Sequence, residues 1–189
     1  MQTLILMRHA KAEPLALIPR DSANSTPESS SEVYEDRDRP LSPRGRKDAA
    51  RMGAWLSGQT LLPDPAACWV SPAQRTQETY AVAFGASAAS PADQKTAQPR
   101  ACTLEPRLYL ASSAQLDWLI EEALAQFDQA LLLGHNNGME DWVLTAAPKA
   151  LSGFPTAFPT AAVAIFRREG SGAAWRLKAS ATYNSLAAD

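Results

Sequence analysis

Four short apolar runs, separated by segments of helical pattern, limit the fold of this chain more than any other feature. They are "TLILM" (3–7), "AACWVSP" (66–72), "ACTLE" (101–105) and "QALLLGH" (129–135). The first, continuous, apolar and partly β-branched, reads as a buried strand; the second and fourth read as further strands and "ACTLE" as a weaker third. Between them, "LSPRGRKDAARMGAWL" predicts a helix with Ser42 as N-cap, Pro43 first, and Ala49, Met52 and Leu56 at helical spacing. "SPAQRTQETYAVAF" predicts another, capped by Ser71 with Pro72 first. The clearest helix spans 113–127 behind a Ser113 cap, with an apolar stripe of Leu116, Leu119, Ile120, Ala123, Leu124 and Phe127. "GMEDWVLTAA" predicts one more helix. "AAVAIFRREGSGAAWRLKASAT" predicts two strands joined by the turn "EGSGA".

Strands alternating with helices require an α/β fold. A three-layer α/β/α sandwich around a mainly parallel, mixed sheet is expected, with antiparallel character added at one side by the terminal hairpin. A length of 189 residues suits a single domain over 1–189. Residues 14–37, rich in Ser, Pro, Asn and Glu, form a polar surface excursion. Trp69, Trp118 and Trp142 lie on elements that should pack and are expected in the core.

A net charge of −2 recruits neither nucleic acid nor an anionic membrane surface. No apolar run approaches a membrane span and no signal peptide is visible, so a cytoplasmic location is expected. Cys68 and Cys102 lie apart and read as buried thiols rather than a ligand pair. With two histidines and no carboxylate cluster, neither a metal nor a cofactor is called for.

Those two histidines, His9 and His135, follow apolar runs in matching settings, "LILMRHA" and "ALLLGHNNG". In open α/β sheets, ligands bind beyond the carboxyl ends of the strands, where helix N-termini also gather. That rule pools Arg8 and His9 after the first strand, Arg75 in the turn of helix after Ser71-Pro72, and His135 with Asn136 after the fourth. Two guanidinium forks, two imidazoles and free backbone N–H groups suit a compact anion, above all a phosphoryl group. No Gly-rich phosphate loop occurs. Any one of these residues alone would be an ordinary surface or helix residue; three strand ends with the same chemistry are a site. Asp38 and Arg39, ahead of the first helix, are candidates for its entrance.

"LMRHAKAE", "DRPLSPRGRKDAARMGAWL", "VSPAQRTQETY" and "LLLGHNNGMEDWV" together resemble, in order, the motifs of the histidine phosphatase superfamily, the group that includes phosphoglycerate-mutase-like enzymes. The short length, the Arg-His-Ala form and the Gly-His-Asn-x-Gly block are similar to the SixA-like branch of small phosphohistidine phosphatases. The resemblance implies a phosphoglycerate-mutase-like fold and His9 as the nucleophile, forming a phosphohistidine intermediate that water cleaves. One ring nitrogen of His9 should then donate to a backbone carbonyl. Arg8, Arg75, His135 and Asn136 would hold the phosphoryl oxygens. Glu105 is the candidate general acid by region only; a shift of two residues would place Arg107 there, and a solvated strand-end Glu105 is the other reading.

Some positions depart from the family pattern. Ala10 replaces its glycine, which requires a backbone there that avoids positive φ. The Asn and Trp of the mutases are missing, and 14–37 is long for the small branch. The expected partner is a phosphorylated protein or a small phosphorylated metabolite. A phospho-ligand binding module and a phosphoryl-transferring mutase are the alternatives.

Overall fold

The computed structural model describes residues 1–15, 35–59, 67–85, 102–146 and 158–186. Six strands make one sheet: β1 (Gln2–Arg8), β2 (Ala67–Val70), β3 (Thr103–Leu104), β4 (Gln129–Gly134), β5 (Val163–Arg168) and β6 (Arg176–Ala181). Their order is β3-β2-β4-β1-β5-β6. The β3, β2, β4 and β1 neighbours run parallel, while β5 joins β1 and β6 joins β5 in antiparallel fashion. The mixed sheet expected from the sequence is therefore present, with the hairpin on the side predicted to be antiparallel.

The helices are α1 (Pro43–Ser57), α2 (Gln74–Tyr80, continuing through a wider turn to Gly85), α3 (Ser113–Gln126), α4 (Gly138–Ala146) and α5 (Tyr183–Leu186). Alternate side chains of the central strands enter two separate cores. Leu4, Leu6, Leu132 and Phe166 pack with α3 and α4, including Leu119, Ile120 and Trp142. Ile5, Met7, Leu131, Leu133 and Ile165 pack on the other face with Ala49, Met52 and Leu56 of α1 and Tyr80 of α2. Strands buried on both faces need apolar residues at every position, which is why they appear as unbroken runs.

The structure corrects several details. The third strand shrinks to two exposed residues at the sheet edge, and Cys102 beside it is exposed rather than buried. The cap of α3 is Ser112, not Ser113: its hydroxyl accepts from Gln115 N, and the Gln115 side chain accepts from Ser112 N. The second helix starts at Gln74, with Ala73 at its N-cap, so Ser71 and Pro72 precede it and the Ser71 hydroxyl is left for another task. Trp142 is buried and Trp69 half-buried, but Trp118 is 57% exposed on the outer side of α3, where the Arg107 guanidinium covers its ring at 4.6 Å. Of the excursion 14–37, residues 16–34 lie outside the described residues, whereas Asp36–Asp38 form one turn of 3-10 helix.

Candidate active site

The parallel ladder between β1 and β4 places Arg8 opposite Gly134, so the next residue on each strand is a histidine. The ring centroids of His9 and His135 are 5.2 Å apart. The His9 backbone is held from both sides: its N–H donates to Gly134 O at 3.1 Å and its carbonyl accepts from Ala161 N at 3.0 Å. His9 Nδ1 lies 2.7 Å from Ala10 O. A carbonyl only accepts, so Nδ1 carries the proton in the neutral ring and Nε2 keeps its lone pair. This is the arrangement expected of a nucleophilic imidazole.

Ala10 is compatible with that loop because its φ is not positive; among the described residues other than glycine only Leu110 and Ala161 have positive φ. Ala10 N donates to Thr79 Oγ1 at 3.0 Å, and Thr79 Oγ1 donates to Arg75 O at 2.6 Å, so α2 is tied to the end of β1. On the other flank, Ser42 N and Oγ both donate to Lys11 O while Ser42 caps α1. A Cβ on Gly45 would stand 2.0 Å from Lys11 O, so only glycine lets α1 come this close.

Arg75, 3% exposed, reaches from α2 to the second histidine, with Nη2 3.3 Å from His135 Nδ1. Guanidinium groups only donate, so Nδ1 accepts and the proton of neutral His135 sits on Nε2, which donates to Ser71 Oγ at 2.8 Å. Arg8 Nη1 donates to Phe158 O at 2.8 Å, and its Nε is buried without a hydrogen-bond partner among the described residues. Asn136 Nδ2 donates to Phe158 O and to Glu140 Oε2.

These side chains line one cavity of about 760 Å³ together with Lys11, Asp36, Arg39, Leu110 and Thr160. Four cationic side chains face one carboxylate there, which makes the cavity an anion site. Burial lowers the His9 pKa to about 4, against the Ala10 hydrogen bond and with help from the charges of Arg75, Arg8 and Arg39. Burial, then the positive charge on His9 and Arg75, lowers that of His135 to about 3. Both rings are therefore neutral at pH 7, and the His9 Nε2 lone pair carries no proton. Among the described residues no three His, Cys, Asp or Glu side chains gather as a metal site.

Arg8, His9, Arg75, His135 and Asn136, pooled from the sequence, thus meet. Glu105 does not join them. Its Oε1 accepts from Arg107 N and Nε and its Oε2 from Arg107 Nη2 at 2.6 Å, and it is absent from the cavity lining. These Arg107 hydrogen bonds, against some desolvation, lower its pKa, the reverse of what a proton donor needs. Arg107 is also outside the cavity lining and turns to Glu105 and Glu122. Arg39 lines the cavity and Asp38 does not.

Ser71, Tyr109 and Asp36 are the residues that sequence reasoning missed. Asp36 Oδ2 accepts from Arg75 Nη2 and from Tyr109 OH, each at 2.9 Å, and Oδ1 accepts from Arg39 Nη1 at 3.0 Å. Its pKa falls to about 2: desolvation opposes the shift, but Tyr109, Arg39 and Arg75 outweigh it. The only sequence signal was the charged run "EDRDRP" abutting the first helix.

Residues 4–95 match the family model described as histidine phosphatase superfamily (branch 1). Comparison with curated proteins finds no significant match. Among solved structures, the chain is similar to a protein of Agrobacterium tumefaciens assigned as phosphohistidine phosphatase SixA. The two are 21% identical, with a TM-score of 0.68 over 96% of this chain and 98% of that one. The protein histidine phosphatase SixA complexed with tungstate is 19% identical, with a TM-score of 0.66 over 98% of this chain and 99% of that one. A phosphoserine phosphatase of Entamoeba histolytica, solved with phosphoserine, is 13% identical, with a TM-score of 0.61 over 98% of this chain and all (100%) of that one. Residues 4–95 thus carry the sequence pattern of the histidine phosphatase superfamily (branch 1), and the chain over nearly its whole length has the fold of the SixA structures.

Proposed function

We propose that this protein is a phosphatase that works through a covalent phosphohistidine on His9. The carrying observation is the Nδ1 hydrogen bond to Ala10 O, which leaves the Nε2 lone pair available beside Arg8, Arg75 and His135. Nε2 attacks phosphorus as the bond to the leaving group breaks, and water then attacks phosphorus, returning His9 to its neutral form and releasing phosphate. Arg8 and Arg75 hold the non-bridging oxygens and stabilise the charge spread over them. His135 and Asn136 stand beside them; bound anion favours a proton on His135 Nδ1, which converts that nitrogen into a donor.

Leaving-group chemistry narrows the substrate. Asp36 is the one carboxylate among the described residues lining the cavity, and its lowered pKa and three donors keep it ionised. An alkyl alcohol leaves poorly without a proton donor, whereas an imidazole or a phenol leaves well. The site therefore favours a phosphohistidine protein, or a small phosphoester with an acidic leaving group, over an alkyl phosphate. The cationic cavity also supports phospho-ligand binding without turnover, but a neutral, oriented His9 favours the enzyme. No helix among the described residues is long and apolar enough to cross a membrane, and a cytoplasmic location belongs to this reading.

The test compares wild type and His9→Ala on an aryl phosphate and on a phosphohistidine peptide, and traps the phosphoenzyme. Turnover lost in the variant, with an acid-labile, base-stable phosphate on wild type, supports the reading. Turnover that survives His9→Ala rejects it.

A further inference from the structure

We propose that Asp36 occupies, in the resting protein, the place on Arg75 that a phosphoryl group takes, and thereby sets the anion affinity of the site. The inference rests on the phosphoryl reading above. Both terminal nitrogens of the buried Arg75 donate to this one residue: Nη1 to the Asp36 carbonyl and Nη2, which also reaches His135 Nδ1, to its carboxylate. Those two donors form the fork that would clamp a phosphate. The carboxylate also takes a second guanidinium, from Arg39, and the Tyr109 hydroxyl. Two arginines of the cavity converging on one carboxylate are the donors of an anion-binding site, filled here by the chain's own anion, and the Tyr109 hydroxyl, outside the cavity lining, holds that anion in place.

Asp36 is also placed to leave. Its side chain is 41% exposed, its turn buries no residue, and Glu35 at the N-cap makes no side-chain capping bond. Swinging out breaks polar contacts that water can replace, with no loss of core packing. Any incoming anion must break the same Arg75–Asp36 contacts, so the penalty is the same for all of them. A phosphoryl group that also reaches Arg8 and Arg39 regains it, whereas an anion with one point of attachment does not. The competing role is that Asp36 stays and orients Arg75 while phosphate binds another edge of the guanidinium.

Titration of inorganic phosphate into wild type, Asp36→Asn and Tyr109→Phe separates the two. Asp36→Asn keeps the size and one acceptor oxygen but loses the charge, so phosphate should bind roughly tenfold tighter. Tyr109→Phe, which frees the carboxylate of one donor, should shift affinity in the same direction by a smaller factor. Equal or weaker binding in Asp36→Asn, with wild-type melting, overturns the inference while leaving the phosphoryl site standing. Failure of all three proteins to bind phosphate removes both readings. Should Asp36→Asn not fold, Tyr109→Phe decides alone: no gain in affinity overturns the proposal.

Discussion

Ser71 Oγ holds His135 Nε2 at 2.8 Å, so the imidazole turns its other nitrogen toward Arg75 and the cavity. Removing the hydroxyl leaves a buried N–H without its partner, at a cost of about 1–3 kcal/mol. Ser71→Ala should lower the melting temperature and reduce kcat by about tenfold, with KM for an aryl phosphate changing less. Unchanged kcat would show that His135 needs no such tether.

Arg75→Ala should reduce turnover by roughly two to three powers of ten, the usual effect of deleting a preorganised donor. The fold should survive, because the released Asp36 carboxylate can reach water. Circular dichroism and melting establish folding; near-normal activity in a folded variant would refute the role of Arg75.

Both histidines are held neutral, and the sequence contains no others, so two imidazole signals report the site directly. Those signals should not titrate near pH 6.5; that of His9 should move only near pH 4. In the unfolded chain the same rings take up protons below about pH 6.5. Stability is therefore fully present above that pH and is lost as pH falls toward the folded values. Melting temperatures between pH 7 and 4 should show this decline, reduced in His135→Asn.

Gly138 opens α4, where an added Cβ would stand 1.9 Å from Ala111 O. Because the obstacle is backbone, Gly138→Ala should destabilise by about 2 kcal/mol or more. Gly170, where nothing lies within 4 Å of the added atom, is the control: Gly170→Ala should melt within a degree or two of wild type.

Glu105→Gln should retain aryl-phosphate turnover within a few-fold, because the carboxylate it removes serves Arg107 rather than the cavity. A loss of a hundredfold, measured at saturating substrate, would return Glu105 to the mechanism.

The legible part of this protein was whatever local pattern controls. Leu4 to Met7 and Ala130 to Leu133 had to be apolar at every position to serve two cores, and that same run announced where His9 and His135 begin. Arg75 was readable because it follows a strand end by a fixed few residues. Asp36 was not, since its partners Arg75 and Tyr109 are 39 and 73 residues away and its neighbours show no periodicity. The choice between Ser112 and Ser113 as cap turned on one residue of register. Trp118 lies on a helix that packs, which suggests core, yet it projects from the side of α3 away from Leu116, Leu119 and Ile120.

The Arg8–Gly134 rung has a consequence for how such a reaction centre tolerates change. The gap between the two imidazoles is inherited from the spacing of neighbouring strands, about 4.8 Å, and not from any intervening connection. Changes of length in the connections that leave β2, Ser71 and Arg75 in place would then alter what reaches His9 Nε2, while leaving its companion ring at the same reach.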